Sequence, residues 1–151
     1  MDARRFLRAA TSSVGVAAIV ALSATPALAD GGLSGQTCCD PGGAKVTAYA
    51  DFTSRYGVTV KDIRLKDLCP GDGHSVYVEF QYKQSARGDW VTRGDKREHH
   101  GGCGTTQDEA DYRFVATSGR IAAVRLRVCV DESFPNPDDC QSTNYRNNQY
   151  P

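Results

Sequence analysis

Beyond its first 29 residues the chain contains no helical periodicity of any length. Apolar residues at i, i+3, i+4 and i+7, the mark of an amphipathic helix, are missing, which argues against bundles and α/β folds. A G-x-S-x-G elbow, an H-E-x-x-H helix and a C-x-x-C pair are missing too, so no compact catalytic or zinc signature is present. Basic excess is also lacking: lysine plus arginine and aspartate plus glutamate both number 18. Without a cationic stripe there is no electrostatic footprint for nucleic acid or an anionic membrane. Methionine occurs once, as the initiator, and tryptophan once, as Trp90.

The first thing present is a leader. Arg4, Arg5 and Arg8 form a positive start, "AATSSVGVAAIVALSA" a short alanine-rich apolar core, and "ALA" before Asp30 a small-residue cleavage site. Residues 1–29 therefore read as a signal peptide and the protein as secreted, with no membrane association after cleavage. Phe6 directly follows Arg4-Arg5 where a twin-arginine signal has a spacer, so general secretion is expected. Cleavage removes three arginines and one aspartate. The remaining 122 residues carry 15 basic and 17 acidic side chains, a net charge of about −2. That length suits one domain.

All six cysteines, Cys38, Cys39, Cys69, Cys103, Cys129 and Cys140, follow the leader. An even number in an exported chain implies disulfides, with 15 possible connectivities for six. Spacing favours Cys129–Cys140 and Cys69–Cys103. The remainder is adjacent Cys38 and Cys39, whose mutual bond would strain the intervening peptide, so other pairings stay open.

The clearest strand is "RIAAVRLRVCVDE", residues 120–132. Val124, Leu126, Val128 and Val130 share one face, while Arg125, Arg127 and Cys129 share the other. "KVTAYADFTS" and "HSVYVEFQYK" alternate likewise, with Val46, Ala48, Ala50 and Phe52, then Val76, Val78, Phe80 and Tyr82, facing inward. In "VTVKDIRLKDLC", Val58 and Val60 have opposite parity to Ile63 and Leu65, which predicts a β-bulge near Lys61-Asp62. Arg87-Gly88-Asp89 reads as a hairpin return rather than as an adhesion tripeptide. "DYRFVAT", followed by Ser118-Gly119, is expected to pair as a hairpin with residues 120–132.

The fold expected is all-β: an antiparallel, immunoglobulin-like β-sandwich of roughly six to seven short strands, stabilised by disulfides. Residues 30–44 read as a flexible glycine-rich arm, 45–140 as the sandwich domain, and 141–151 as a polar, frayed tail.

Candidate chemistry is sparse. "EHHGGC", with His99 and His100, is the one loop with catalytic residue types, and its spacing matches no metal site. "KDLCPGDG" and "FPNPDDC" do not match a calcium loop. No cofactor and no metal are expected, and no enzyme activity. Tyr49, Tyr77, Gln81 and Trp90 are expected to face outward and, with His99 and His100, to form a binding surface for an extracellular protein or a carbohydrate.

The leader ("SATPALADGG") and the cysteine-bearing β pattern resemble the small exported proteins of high-GC actinomycetes. In size, export signal and N-terminal arm the chain also resembles the small adaptor subunit of their secreted toxin particles. It does not match the motifs of the subtilisin-inhibitor, α-amylase-inhibitor or chromoprotein families. The absence of a catalytic constellation and the pliant N-terminal arm together predict a secreted non-enzymatic binding or adaptor module that engages another extracellular protein, with strand addition through the arm as the means. The alternatives are an inhibitor of a secreted hydrolase, presenting the loop around 94–107, and a small secreted toxin or hydrolase centred on His99 and His100.

Overall fold

The computed structural model describes residues 30–37, 43–68, 74–132 and 137–150. The expected signal peptide, Cys38, Cys39 and Cys69 lie outside the described residues, as do the pairings expected of those cysteines.

The described chain forms ten strands: β1 (Gly31–Gln36), β2 (Ala44–Phe52), β3 (Gly57–Asp67), β4 (Ser75–Lys83), β5 (Val91–Glu98), β6 (Thr106–Glu109), β7 (Tyr112–Val115), β8 (Ala123–Asp131), β9 (Asp139–Ser142) and β10 (Arg146–Asn147). They make two antiparallel sheets. Sheet A runs β1-β2-β3, with β6 and β7 end to end along the outer edge of β3. Sheet B runs β5-β4-β8, with β9 and β10 end to end along the outer edge of β8. Splitting both edge strands yields more and shorter elements than the roughly six to seven expected.

Alternation produces the core. Along β2, Ala44, Val46, Ala48, Ala50 and Phe52 are buried, and Leu33 joins them from β1. From sheet B come Val76, Val78 and Phe80 on β4 and Val124, Leu126, Val128 and Val130 on β8. The register sets Val76 opposite Val130, Val78 opposite Val128 and Phe80 opposite Leu126. Each large apolar side chain so enclosed contributes about 1.5–3 kcal/mol.

The bulge in β3 is present. Thr47 pairs with Arg64 and Tyr49 with Lys61, so Asp62 and Ile63 together oppose one residue of β2. Asp62 takes φ 50°, a left-handed conformation that aspartate tolerates better than most residues. The added residue shifts the phase, and Val58, Val60, Ile63 and Leu65 are all buried despite their mixed parity.

Four expectations need correction. Residues 31–36, taken as part of a flexible arm, are strand β1, bonded in register to Lys45–Ala50 of β2. The fully buried Leu33 anchors that strand, which glycine content alone concealed. The C-terminal residues are not frayed, since Asn148 is buried and its Nδ2 donates to the Ser54 carbonyl at 2.9 Å. "DYRFVAT" is not the hairpin partner of β8. Tyr112–Val115 pairs with Gly57–Val60 of β3, in the other sheet. Residues 116–122 instead cross between the sheets, held by Ala116 N to Tyr56 O, Ile121 N to Arg55 O and Ala122 N to Lys83 O. Ile121, fully buried, plugs that crossing. Finally, strand order extends on both sides of the 45–140 domain that the pattern suggested, to Gly31 and to Asn147.

The two sheets are bridged along both of their lateral sides. On one, the Ser34 N–H donates to Asn144 Oδ1 (2.7 Å), and Asn144 Nδ2 and Arg146 Nη2 donate to the Gly32 carbonyl (3.0 and 2.8 Å). On the other, Tyr112 Oη donates to the Arg93 carbonyl (3.1 Å) and Gln107 Nε2 to the Glu98 carbonyl (3.3 Å). β1 thus has its inner edge on β2 and its outer edge against Asn144 and Arg146.

Candidate binding face on sheet B

The outward residues of β4 and β8 sit in three successive cross-strand rows. Tyr77 lies opposite Cys129, which lies opposite Cys140 of β9. Cys129 and Cys140 are disulfide-bonded with Cα atoms 4.1 Å apart, as their spacing suggested. Tyr77 Oη donates to Asp138, and Lys96 Nζ stands 3.9 Å above the Tyr77 ring. Burial first, and then the bond to Asp138, raise the Tyr77 pKa well above the usual phenol value. That same bond, followed by the charge of Lys96, holds the Asp138 carboxyl below the usual carboxylate range.

In the second row Arg127 Nη1 meets Glu79 at 3.5 Å. In the third, Gln81 is buried and fully employed: its Nε2 donates to Thr92 Oγ1 (3.0 Å) and its Oε1 accepts from Arg125 Nε (2.8 Å). Arg125 is thereby fixed with its guanidinium 4.2 Å from the Trp90 ring. Lys83 stands between two rings, 5.1 Å from Trp90 and 5.3 Å from Tyr145, whose centroids are 6.0 Å apart. Desolvation and, second, the Arg127 charge lower the Arg125 pKa; a guanidinium nonetheless stays charged at neutral pH. Among the described residues no carboxylate pairs with Arg125 or Lys83.

The residues singled out from sequence are thus divided. Tyr77, Gln81 and Trp90 do share one face. Tyr77 and Gln81, however, are covered, and what reaches solvent is the cluster of Trp90, Lys83, Arg125 and the half-exposed Tyr145. Sequence reading missed Tyr145 because it lies in the polar tail, and Lys83 and Arg125 because single charges on a strand carry no signal by themselves. Tyr49 is on the outer face of sheet A, opposite Lys61 and Gly32. It cannot join the others, because the core lies between.

His99 is not a surface residue. It is buried; its Nδ1 accepts from the Gly101 N–H (3.2 Å) and its Nε2 lies 3.2 Å from Thr105 Oγ1, which donates to the Gly102 carbonyl (2.6 Å). The bonds are mutually consistent only if Nε2 carries the proton, so His99 organises its own loop. His100 is exposed and uses its backbone N–H on Gln107 Oε1 (2.8 Å). His74 is elsewhere, with Nδ1 3.0 Å from the Asp131 carbonyl. Among the described residues no group of three or more His, Cys, Asp or Glu could hold a metal ion. Cys103 is disulfide-bonded, and its loop is tied to the end of β3 by Gly104 N to Asp67 O (3.0 Å).

No protein-family model, no curated protein and no solved structure matches this chain.

Proposed function

We propose that the protein is a secreted, non-enzymatic binding module with an immunoglobulin-like sandwich. It engages another extracellular protein through the Trp90–Lys83–Arg125–Tyr145 face of sheet B. The observation that carries this reading is Arg125, a half-buried guanidinium stacked on Trp90 and fixed by a buried glutamine, with no carboxylate against it among the described residues. Tryptophan, tyrosine and arginine are the residues that dominate protein interfaces, and a preset arginine loses little entropy on binding. A partner carboxylate with an apolar neighbour would complete the site. The Cys129–Cys140 bond agrees with an oxidising compartment, and so supports the secretion that the leader implies. An adaptor role of the kind filled by the small subunit of secreted toxin particles is one form of this function.

The experiment is co-purification from culture supernatant with wild-type protein and with Trp90→Ala/Arg125→Ala. The same partner recovered in equal amount with both proteins would end the proposal. Carbohydrate binding through Trp90 is distinguished by glycan-array binding lost in Trp90→Ala but retained in Arg125→Ala.

A second reading is inhibition of a secreted hydrolase through residues 99–105. Here a disulfide-bonded cysteine sits in an exposed loop pinned at Asp67 and His99, the pre-organisation an inhibitory loop needs. Titration of the protein against secreted proteases and glycosidases tests it directly. The hydrolase reading asks for a reactive histidine, and the engagement of both His99 nitrogens speaks against that residue.

A further inference from the structure

The outer face of sheet A carries an arrangement that its composition hides. Lys45 of β2 and Lys66 of β3 are directly opposed in the register, and the adjoining row pairs Thr47 with Arg64. These four residues and Thr106 of β6 line an open depression of about 220 Å³. Like charges placed directly opposite on neighbouring strands are unfavourable. Arg64 is compensated by Asp108, Nε to Oδ1 3.2 Å. Among the described residues no carboxylate pairs with Lys45 or Lys66. The depression therefore holds two uncompensated positive charges, in a mature chain whose net charge is about −2.

We infer that this depression binds a doubly charged tetrahedral oxyanion, that is, inorganic phosphate or sulfate or the terminal phosphate of a phosphomonoester. The net charge of the site is what selects this class. Two ammonium groups balance one dianion, whereas a carboxylate would leave half of the repulsion in place. Donor number agrees: two ammonium groups, with the hydroxyls of Thr47 and Thr106 beside them, supply more directions than a planar carboxylate accepts, and they suit four oxygens at tetrahedral angles. The side chains need no new backbone geometry, because strand pairing already presents all five on one surface. This site lies across the core from the Trp90 face, so each stands or falls alone.

The test is a titration of the intact purified protein with sodium phosphate, sodium sulfate and sodium chloride at low ionic strength. Backbone amide shifts are followed by NMR, with affinities from calorimetry. Phosphate and sulfate should saturate with shifts confined to 45–47, 64–66 and 106, and chloride should not. Lys45→Ala and Lys66→Ala, each of which relieves the opposed like charges and so does not endanger folding, should each weaken binding about ten-fold or more. Arg64→Ala should matter less, because Asp108 already occupies its charge. Acidification from pH 7.5 to 5 should weaken inorganic phosphate and phosphomonoesters, both of which take up a proton and lose one charge over that range (the ester at about pH 6), and leave sulfate unchanged. Glucose 6-phosphate and inorganic phosphate compared at equal concentration separate an ester end group from the free ion. Linear shifts spread over the whole surface, or equal affinity in the Lys45→Ala/Lys66→Ala double variant, would overturn the assignment.

Discussion

The two lateral sides of the paired sheets solve one problem by different means. An edge strand exposes unpaired N–H and C=O groups and invites pairing with other chains. On the β1 side the chain covers that edge with its own C-terminal segment. Asn144 reproduces part of a strand ladder by accepting from Ser34 and donating to Gly32, and a disulfide holds the neighbouring β9 in place. On the β5 side no strand among the described residues lies along the outer edge of β5, and the loop that follows it carries the disulfide-bonded Cys103. Protection comes from charged residues along β5, from a shift of register between Val78 and Phe80, and from Tyr112 and Gln107 reaching across to its carbonyls. Along the strand edges themselves, one side is closed by backbone-like bonds from Asn144 and Arg146, the other by side chains over a bulge. Local opening should therefore begin on the β5 side, where fewer bonds must break together.

The largest effect should come from attacking the covalent element. Cys129→Ala/Cys140→Ala removes a bridge spanning 11 residues and should cost about 3 kcal/mol in chemical denaturation. Hydrogen exchange in that variant should rise at 139–147 and stay unchanged at 91–98. A uniform rise would show that the two sides open as one unit.

Next is Gly94, where the opposite side is tightest. Its φ is +87°, and an added Cβ would lie 2.3 Å from Tyr112 Oη. Gly94→Ala should cost about 2 kcal/mol, from left-handed strain together with displacement of that ring. Stability within error of wild type would mean that β5 is looser than its bonds suggest.

Asn144→Ala removes both side-chain bonds to β1 and should cost about 1–2 kcal/mol. Its signature is faster exchange of the Ser34 amide. Tyr112→Phe deletes one bond on the other side and should cost about 1 kcal/mol or less. If the Tyr112 change proved the costlier of the two, the ranking of the sides would be reversed.

The smallest effect is set by pH. The Asp138 carboxyl, bonded by Tyr77 and flanked by Lys96, ionises more readily folded than unfolded. Its stabilisation is therefore fully present above the unfolded value of about 3.9 and disappears as pH falls through the lower folded value. Exchange at 139–142 should accelerate across that acid range, and Tyr77→Phe should flatten the profile. A profile identical in wild type and Tyr77→Phe would show that Asp138 does not hold β9.

Strands β2, β4 and β8 were legible because their inner faces alternate cleanly over many residues. The bulge was legible too, because apolar parity can change within one strand only where an extra residue is inserted. Cys129–Cys140 followed from closeness in sequence. Strands β1, β9 and β10 were not legible. They carry few apolar side chains, so their conformation comes from pairing with a neighbour rather than from propensity. A tight turn at Ser118-Gly119 favours a β7–β8 hairpin locally, but the burial of Ile121 and the bonds to Arg55 and Tyr56 send the chain across to the other sheet. At the candidate face, strand parity puts Tyr77 and Gln81 on one side of β4, while Trp90 precedes β5 and reaches that side through its contact with Arg125. Parity says nothing about which sheet a strand joins, and Tyr49 was misplaced for that reason.

By itself, then, the sequence determined the all-β class, the inward face of each long strand and one disulfide, because period-two burial and short-range covalent closure are local properties. Only the tertiary structure decided which strands share a sheet, that both ends of the described chain are bound into it, and that Lys83, Arg125 and Tyr145 gather around Trp90. Those outcomes depend on contacts between residues far apart in the chain, where register and crossing are chosen by total burial rather than by any local pattern.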